Sequence, residues 1–182
     1  MPLSNEIRAS LLTLARQAVA AEVGVLGAMP AVEPAKVLAE KRGCFVTLTQ
    51  GGRLRGCIGT FQPRTPLAET IVEMGRSAAR DPRFVDDPIT PAELDTLDVE
   101  VSILSPLEKT DHPEQLELGI HGIYIVAGHQ AGCFLPEVAT DYNMSVEQFL
   151  DTCCQHKAHL PAGAWRNPTT DVFLFTSEKF GD

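Results

Sequence analysis

The part of the sequence best suited to covalent chemistry is a cysteine that follows an arginine by two residues. Cys57 lies in residues 54–61, LRGCIGTF, where apolar side chains occupy alternate positions. Because side chains two apart on a strand share a face, Arg55 and Cys57 are expected on the same side. A neighbouring cation lowers the pKa of a thiol and makes it a nucleophile. The pattern marks Cys57 as a candidate catalytic residue, although a small buried cysteine beside an ion-paired arginine fits it equally well.

Two further polar residues could complete a site around that thiol. His121 precedes a strand-like segment and is flanked by Gly119 and Gly122, where a backbone can be approached closely. Glu100 lies on the polar face of another predicted strand. An imidazole and a carboxylate commonly act as base and orienting group for a nucleophile, so we assign His121 and Glu100 those catalytic roles. Structural alternatives stay open: a histidine bonded to backbone, and a glutamate paired with an arginine.

Arginine side chains around Cys57 also indicate an affinity for small anions. Residues 41–83 hold eight basic residues against three acidic ones, whereas the whole chain has a net charge of −9. Guanidinium groups suit carboxylate and phosphate, so Arg55 and Arg83 are the candidate substrate- or anion-binding residues. The alternative is that these arginines pair with the acidic remainder of the chain. The acidic surface repels phosphate backbones, which argues against nucleic acid and membrane surfaces as partners.

A second group of chemically capable residues, Cys153, His156 and His159, lies nearer the C-terminus. Their spacing places two of them at a time on one helix face. A structural zinc ion needs four ligands, usually as two separated pairs, and no second pair accompanies this one. The sequence also lacks glycine-rich phosphate loops and the motifs of common hydrolases. We therefore expect no metal and no cofactor, and we predict that Cys153 lies in the core.

The element that must position Cys57 is a β-hairpin over residues 45–61. Register follows the hydrophobic pattern, and a three-residue loop keeps the aliphatic side chains of both strands on one face. That loop places Gly52 at positive φ and Thr47 opposite Arg55. Cys57 then shares its face with the arginines of the second strand.

The other elements carry clear start signals. Amphipathic helices are predicted after Ser4 and after Thr65, and capping boxes at residues 90–93 and 145–148 open two more. Strict alternation predicts a half-buried strand at residues 97–103. Further strands are predicted at residues 122–126, 133–135 and 172–175, a short helix at 34–40 and a linker at 24–33.

Hairpin-linked strands interspersed with helices favour an α+β class, with a mostly antiparallel sheet and packed helices. The alternative, a doubly wound parallel sheet, needs a regular strand–helix alternation that the chain lacks. The 182 residues fit a single domain over residues 1–182, of one lobe or two. Five cysteines without the spacing of a disulfide scaffold indicate a reducing compartment, so we expect a cytoplasmic protein.

Several blocks of the sequence together resemble one family. In order they are GCFVTL (43–48), LRGCIGTF (54–61), DPRF (81–84), VEVSILSP (99–106), HGI (121–123), FLPEVA (134–139) and FL (149–150). They are similar to the AMME-chromosomal-region (AMMECR) domain family, whose prokaryotic members are called AmmeMemoRadiSam system protein A. The resemblance covers nearly the whole chain and implies the AMMECR-domain fold. It implies no reaction, because the family lacks an established activity.

The resemblance also implies particular partners. Prokaryotic members of the family are associated with a Memo-like protein of dioxygenase-type fold and with a radical-SAM protein. The family pattern usually has glycine near position 159, so His159 departs from it and is not expected to be a shared ligand.

Two functions follow from these observations. The first is a thiol-dependent enzyme acting on a small anionic or electrophilic substrate, with Cys57 as nucleophile and His121 and Glu100 as base and orienting group. The alternative is a non-catalytic module that binds a partner or a small ligand. A solvent-open pocket that holds Cys57 would favour the enzyme, and a cysteine buried on all sides would favour the module.

Overall fold

The computed structural model describes residues 3–25 and 36–181, and these form two compact units. The first unit contains the described residues up to Leu104 and those from Glu178 onward, and the second is Ser105–Ser177. Each unit is built on its own four-stranded sheet with antiparallel pairing. This confirms the α+β class predicted from the sequence. That residues 1–182 form a single family domain stays a prediction.

Helices and strands follow one another irregularly along the chain. The two longest helices belong to the first unit, and the second unit contains two shorter ones. In chain order the elements are α1 (Asn5–Glu22), β1 (Cys44–Gln50), β2 (Arg53–Thr60), α2 (Leu67–Ala79), β3 (Asp98–Leu104), β4 (Glu108–Thr110), β5 (Gly122–Ala127), β6 (Gln130–Phe134), α3 (Pro136–Asp141), α4 (Val146–His156), β7 (Asp171–Phe175) and β8 (Ser177–Gly181).

In the first unit the strands lie in the order β2-β1-β3-β8, and α1 and α2 pack together against the sheet. Ser4 caps α1, because its hydroxyl accepts the N–H of Ile7 at 3.4 Å. The two helices approach closely at Gly75, where a Cβ would lie 3.2 Å from the carbonyl oxygen of Ala15. Apolar side chains of both helices, β1 and β3 form the core of this unit.

In the second unit the strand order is β4-β7-β5-β6, and α4 packs against β5 and β6. Ser145 and Gln148 form the predicted capping box at the start of α4. Behind it Phe149 is fully buried, with its ring stacked on that of Phe134 at 5.5 Å between centroids. Cys153 is also fully buried, which confirms its predicted place in the core.

Other predicted boundaries are confirmed or shift by a residue. The capping box that begins at Thr90 is present and opens a 3-10 helix, Pro91–Thr96. α2 begins at Leu67, one residue later than predicted, with Pro66 as the N-cap residue. The hydroxyl of Thr65 lies 3.1 Å from that of Thr70 instead of capping the helix.

Two predicted features fall partly outside the described residues. A helical turn, Lys36–Ala39, occupies part of the predicted helix 34–40, and residues 34–35 are not described. Most of the predicted linker 24–33 is likewise not described. Within residues 3–25 and 36–181, no helix combines the length and the apolar character needed to cross a bilayer.

The turn of the hairpin that carries Cys57 differs from the prediction. Gln50 pairs with Arg53 across the two-residue turn Gly51-Gly52, whose φ values are +56° and +78°. The expected positive φ at Gly52 is confirmed, but the expected three-residue loop is wrong. Two-residue turns with two positive φ values match the natural twist of paired strands, and paired glycines adopt them without strain.

A β-bulge in β2, and not a longer loop, keeps Ile58 on the same face as Val46 and Leu48. The pairing shifts by one residue so that Leu48 lies opposite Gly56, which leaves Arg55 without a partner on β1. Beyond the bulge Thr47 lies opposite Cys57, not opposite Arg55 as predicted. The extra residue turns Arg55 to the side of the strand that α2 covers. The prediction that Cys57 shares its face with the arginines of β2 is therefore wrong.

Candidate functional site

Cys57 lies in the middle of β2, which forms one edge of the first sheet. Its side chain is half-buried, and the Thr47 hydroxyl of the neighbouring strand donates a hydrogen bond to its sulfur at 3.2 Å. Sequence reasoning missed Thr47 as a site residue, because its contact depends on the register that the bulge sets.

Both backbone polar groups of Cys57 bond to the loop that follows α2. The Asp81 carboxylate accepts its N–H at 2.9 Å, and Arg83 Nη2 donates to its carbonyl oxygen at 3.2 Å. Asp81 and Arg83 also pair with each other at 2.6 Å. We call this pair the Asp81–Arg83 clamp. It fixes the backbone of Cys57 while the sulfur contacts Thr47.

The Asp81–Arg83 clamp is an ionised pair. The Asp81 side chain is only 1% exposed, yet the hydrogen bond from Arg83 lowers the pKa of its carboxyl to about 2. Burial acts in the opposite direction, and the N–H groups of Cys57 and Arg83 add to the lowering. The hydrogen bond with Asp81 raises the pKa of Arg83, and the charge of a Cys57 thiolate adds to that rise. Arg83, and not Arg55, is therefore the cation in contact with Cys57.

Acid should remove the stabilisation that Asp81 supplies. Its pKa is about 2 in the folded protein and ordinarily 3.8, so it stabilises the fold fully above about pH 5 and loses this contribution as pH falls towards 2. The difference corresponds to about 2 kcal/mol. Urea unfolding of the wild-type and Asp81→Asn proteins measures it, because the gap between their free energies of unfolding should narrow as the pH falls. A gap that stays constant across this range would contradict the low pKa.

Arg55, predicted to bind anions, is only 4% exposed. Its Nη1 donates to Glu93 Oε1 at 2.8 Å, and its Nη2 donates to the carbonyl oxygen of Asp87 at 3.2 Å. The N–H and hydroxyl of Thr90, together with the charge of Arg55, lower the pKa of Glu93. Arg55 is therefore paired with acidic residues of the same fold, which is the alternative considered from the sequence. Arg83, by contrast, has a side chain that is 57% exposed.

Glu100 lies on the same face of the first sheet as Cys57, with Thr47 between them. Thr47 pairs with Cys57 on one side and with Glu100 on the other. Two strand spacings therefore separate Cys57 from Glu100, which is about 10 Å. Glu100 forms an ion pair with Lys179 of β8 at 3.0 Å, so the predicted arginine partner is replaced by a lysine.

His121 belongs to the second unit and lies one residue before β5. Its Nδ1 accepts the N–H of Glu117 at 3.0 Å, so the neutral ring carries its proton on Nε2. This backbone bond agrees with the structural alternative considered for His121. Its role as a base stays a prediction.

Burial raises the pKa of each of the other four thiols. It raises the pKa of Cys44 to about 12 and that of Cys133 to about 11. Burial also raises the pKa values of Cys153 and Cys154 on α4. All five cysteines are free, and Cys57 is the one whose sulfur combines partial exposure with a hydroxyl donor and a nearby guanidinium.

The cysteine–histidine cluster near the C-terminus does not assemble as a metal site. In the described part of the chain, no group of three or more His, Cys, Asp or Glu side chains could hold a metal ion. His159 has a φ of +56°, in the left-handed region that glycine adopts without strain. This backbone explains the glycine that the resembled family has near position 159.

The cavities on the described part of the first unit include two of small-molecule size and a smaller one of 170 Å³. Of the larger two, one of 790 Å³ lies along α2 and includes Ile58 of β2, and the other, of 630 Å³, lies where α1 and α2 end and includes Arg55 and Asp81. Both volumes fall in the range of small-molecule sites. Cys57 does not line either of them.

Comparison with known proteins gives a consistent result over nearly the whole chain. The family model described as AMMECR1 matches residues 12–180. A protein of Methanothermobacter thermautotrophicus is 38% identical over 98% of this chain and 96% of its own length. A protein of Thermoplasma volcanium is 38% identical over 97% of this chain and 90% of its own.

A solved structure agrees with these sequence matches. The crystal structure of an uncharacterised protein from Pyrococcus horikoshii is 34% identical in sequence and superposes with a TM-score of 0.85. The match covers 99% of this chain and 93% of that one.

Proposed function

The chain belongs to the AMMECR1 family, and we propose that this protein is a thiol-dependent enzyme acting on a small anionic or electrophilic substrate. One observation carries the proposal. Cys57 presents a half-buried sulfur that accepts the Thr47 hydroxyl at 3.2 Å, while the Asp81–Arg83 clamp fixes its backbone. A nucleophile needs both a stabilised thiolate and a fixed position.

Arg83 gives the proposed site its preference for negative charge. Its Nη2 reaches the carbonyl oxygen of Cys57, and its side chain remains 57% exposed although it pairs with Asp81. A guanidinium placed in this way attracts an anionic group and favours the thiolate at the same time. Arg83 thereby takes the role that the sequence suggested for Arg55.

The proposed chemistry starts with attack by the thiolate. The sulfur of Cys57 forms a bond to an electrophilic carbon of the substrate, and the displaced electron pair passes to the substrate oxygen or leaving group bonded to that carbon. The thiol proton leaves before attack, and His121 stays the base assigned to it from the sequence. Glu100, next to Thr47 across the sheet, is the candidate orienting carboxylate.

The cellular setting belongs to the same proposal. Five free thiols support a reducing compartment, and we place the protein in the cytoplasm. The family resemblance supports an association with Memo-like and radical-SAM proteins. The protein's net charge of −9 argues against nucleic acid as a principal partner.

Alkylation of the folded protein with iodoacetamide tests the thiol. We expect Cys57 to react first at neutral pH, because a pKa of about 12 leaves Cys44 with about 1,000-fold less thiolate than an ordinary thiol. Peptide mapping after short reaction times identifies the modified residue. Thr47→Val, which removes the hydroxyl donor, and Arg83→Gln should each slow the reaction of Cys57 several-fold, about 3- to 10-fold. Cys57→Ser should fold normally.

Arg80→Gln is the matched control, since Arg80 is an exposed arginine of the same segment that pairs with Glu22. Its alkylation rate should equal that of the wild type. Protection of Cys57 in the folded protein, together with a Cys57→Ser variant less stable by about 1–3 kcal/mol, would overturn the enzyme proposal.

The second candidate function is a non-catalytic module that binds a partner or ligand. Two observations favour it. Cys57 lines neither of the two larger cavities. The polar groups around Cys57 are also used internally, since the clamp binds its backbone and Arg55 pairs with Glu93. In that case the LRGCIGTF segment maintains a fold and a surface. The alkylation experiment separates the two functions.

A further inference from the structure

The cavity of 630 Å³ on the first unit is suited to a small molecule of a definite kind. It lies between the end of α1, the end of α2 and the loop that follows α2. Seven of its eleven lining residues have apolar side chains, among them Val23, Ala79, Val85 and Ile89. A ligand body that fits here is therefore largely apolar.

Arg55 lines this cavity and has one hydrogen-bond donor without a partner. Its two terminal nitrogens bond to Glu93 and to Asp87, but the buried Nε has no hydrogen-bond partner. The side chain is 4% exposed and lines the cavity. A buried donor without an acceptor is costly and rare in folded proteins. An oxygen atom from a bound molecule would satisfy it.

The charges around this donor are already balanced. Arg55 lies within 4 Å of carboxylate oxygens from both Glu93 and Asp87. Arg80 pairs with Glu22 at the cavity, and Asp81 pairs with Arg83. A ligand carboxylate at Nε would approach the Glu93 and Asp87 carboxylates, which repel it. A neutral oxygen accepts the hydrogen bond without that repulsion.

We propose that this cavity binds a small uncharged molecule with an apolar body and one carbonyl oxygen, which accepts the hydrogen bond of Arg55 Nε. The apolar body contacts Val23 and Ile89, and Val85, which is 72% exposed, forms part of the entrance. The proposal is independent of Cys57, which does not line this cavity. It assigns to Arg55 a binding role that differs from the anion site predicted from the sequence.

Titration of the isotope-labelled protein with N-benzylacetamide, followed by NMR, tests the proposal. We expect saturable shifts of the backbone amides of Ala79, Val85 and Ile89, with a Kd of about 1 mM, as is typical of a ligand of this size. 3-Phenylpropionate has a similar apolar body but carries a carboxylate. It should bind at least about tenfold more weakly, because the two carboxylates next to Arg55 repel it.

Two variants distinguish binding in the cavity from non-specific binding to the protein surface. Ala79→Leu places a larger side chain in the wall of the cavity and should abolish the shifts. Arg55→Lys keeps the charge but removes the Nε donor, and it should weaken N-benzylacetamide binding about tenfold or more, the value of one hydrogen bond to a charged group. If either variant fails to fold, the wild-type shift map and the comparison of the two probes decide the matter.

Three results would overturn the proposal. They are shifts that map elsewhere on the protein, tighter binding of 3-phenylpropionate than of N-benzylacetamide, and unchanged binding in a folded Ala79→Leu variant. The readout does not involve a thiol, so it can fail while the alkylation test succeeds.

Discussion

Replacing Gly56 by alanine should destabilise the first unit by more than about 3 kcal/mol. A Cβ at this position would lie 2.1 Å from the carbonyl oxygen of Ala78 and 3.0 Å from its carbonyl carbon. Both contacts are with backbone at the end of α2, which cannot move aside as a flexible side chain can. Overpacking a core typically costs about 1–3 kcal/mol, and a clash between two backbones exceeds that range.

Urea unfolding followed by far-UV circular dichroism measures the loss. The single tryptophan, Trp165, lies in the second unit, so its fluorescence reports that unit separately. Gly51→Ala is the matched control: a Cβ there meets open space, and only the positive φ of +56° is strained, at a cost of about 1–2 kcal/mol. Equal stability losses in the two variants would contradict the close approach of β2 and α2.

Removing the Asp81 carboxylate should have the next largest effect, about 3 kcal/mol for Asp81→Ala. The change leaves the Cys57 N–H without its acceptor and takes from Arg83 the partner of its guanidinium and of its own N–H. Breaking a buried ion pair costs about 3–5 kcal/mol, and the exposure of Arg83 places this pair at the lower end.

Asp81→Asn is the matched variant, because the amide oxygen can still accept the Cys57 N–H while the charge is lost. Chemical unfolding at pH 7 should place it between the wild type and Asp81→Ala. If the two variants are equally stable, the hydrogen bond that the amide oxygen retains with the Cys57 N–H contributes nothing. If Asp81→Asn is as stable as the wild type, the ionic part of the Asp81–Arg83 clamp contributes nothing. If both match the wild type, the clamp itself does not stabilise the fold.

Features with local causes could be predicted from the sequence. The start of α1 at Ser4 and the capping boxes at Thr90 and Ser145 depend on a side chain and a backbone N–H three residues away, so spacing alone reveals them. The alternating strand that became β3 follows from one-sided burial in the same way. Short elements such as β4 and β8 lacked such a pattern and were missed.

The register of the hairpin could not be predicted in the same way. Two arrangements keep Val46, Leu48 and Ile58 on one face: a longer loop, or a tight Gly51-Gly52 turn followed by a bulge. The tight turn prevailed because paired glycines suit it, and the bulge restored the apolar face. Because of that single extra residue, Arg55 lies on the other face of β2 from Cys57, and Arg83 is the arginine that contacts Cys57.

Some residues of the candidate site were named from the sequence, but the acidic residue that pairs with Arg83 was not. Cys57 and Arg83 were both singled out, whereas Asp81, which holds them together, was not. A signal for it existed: an Asp-Pro at the end of a helix commonly caps the next turn, and a buried acid needs a cation close by. Arg55 was assigned to anion binding, because its burial and its pairing with Glu93 depend on tertiary packing.

The position of the Asp81–Arg83 clamp on β2 also affects whether another strand can add to this edge of the sheet. A sheet edge with an unpaired N–H and C=O is a template on which another chain can add a strand. Cys57 lies on such an edge, and both of its backbone groups are already occupied by side chains. Two charged side chains therefore stand where an incoming strand would have to bond. The Asp81–Arg83 clamp, which fixes the backbone of Cys57, therefore also blocks strand addition at this point of the edge.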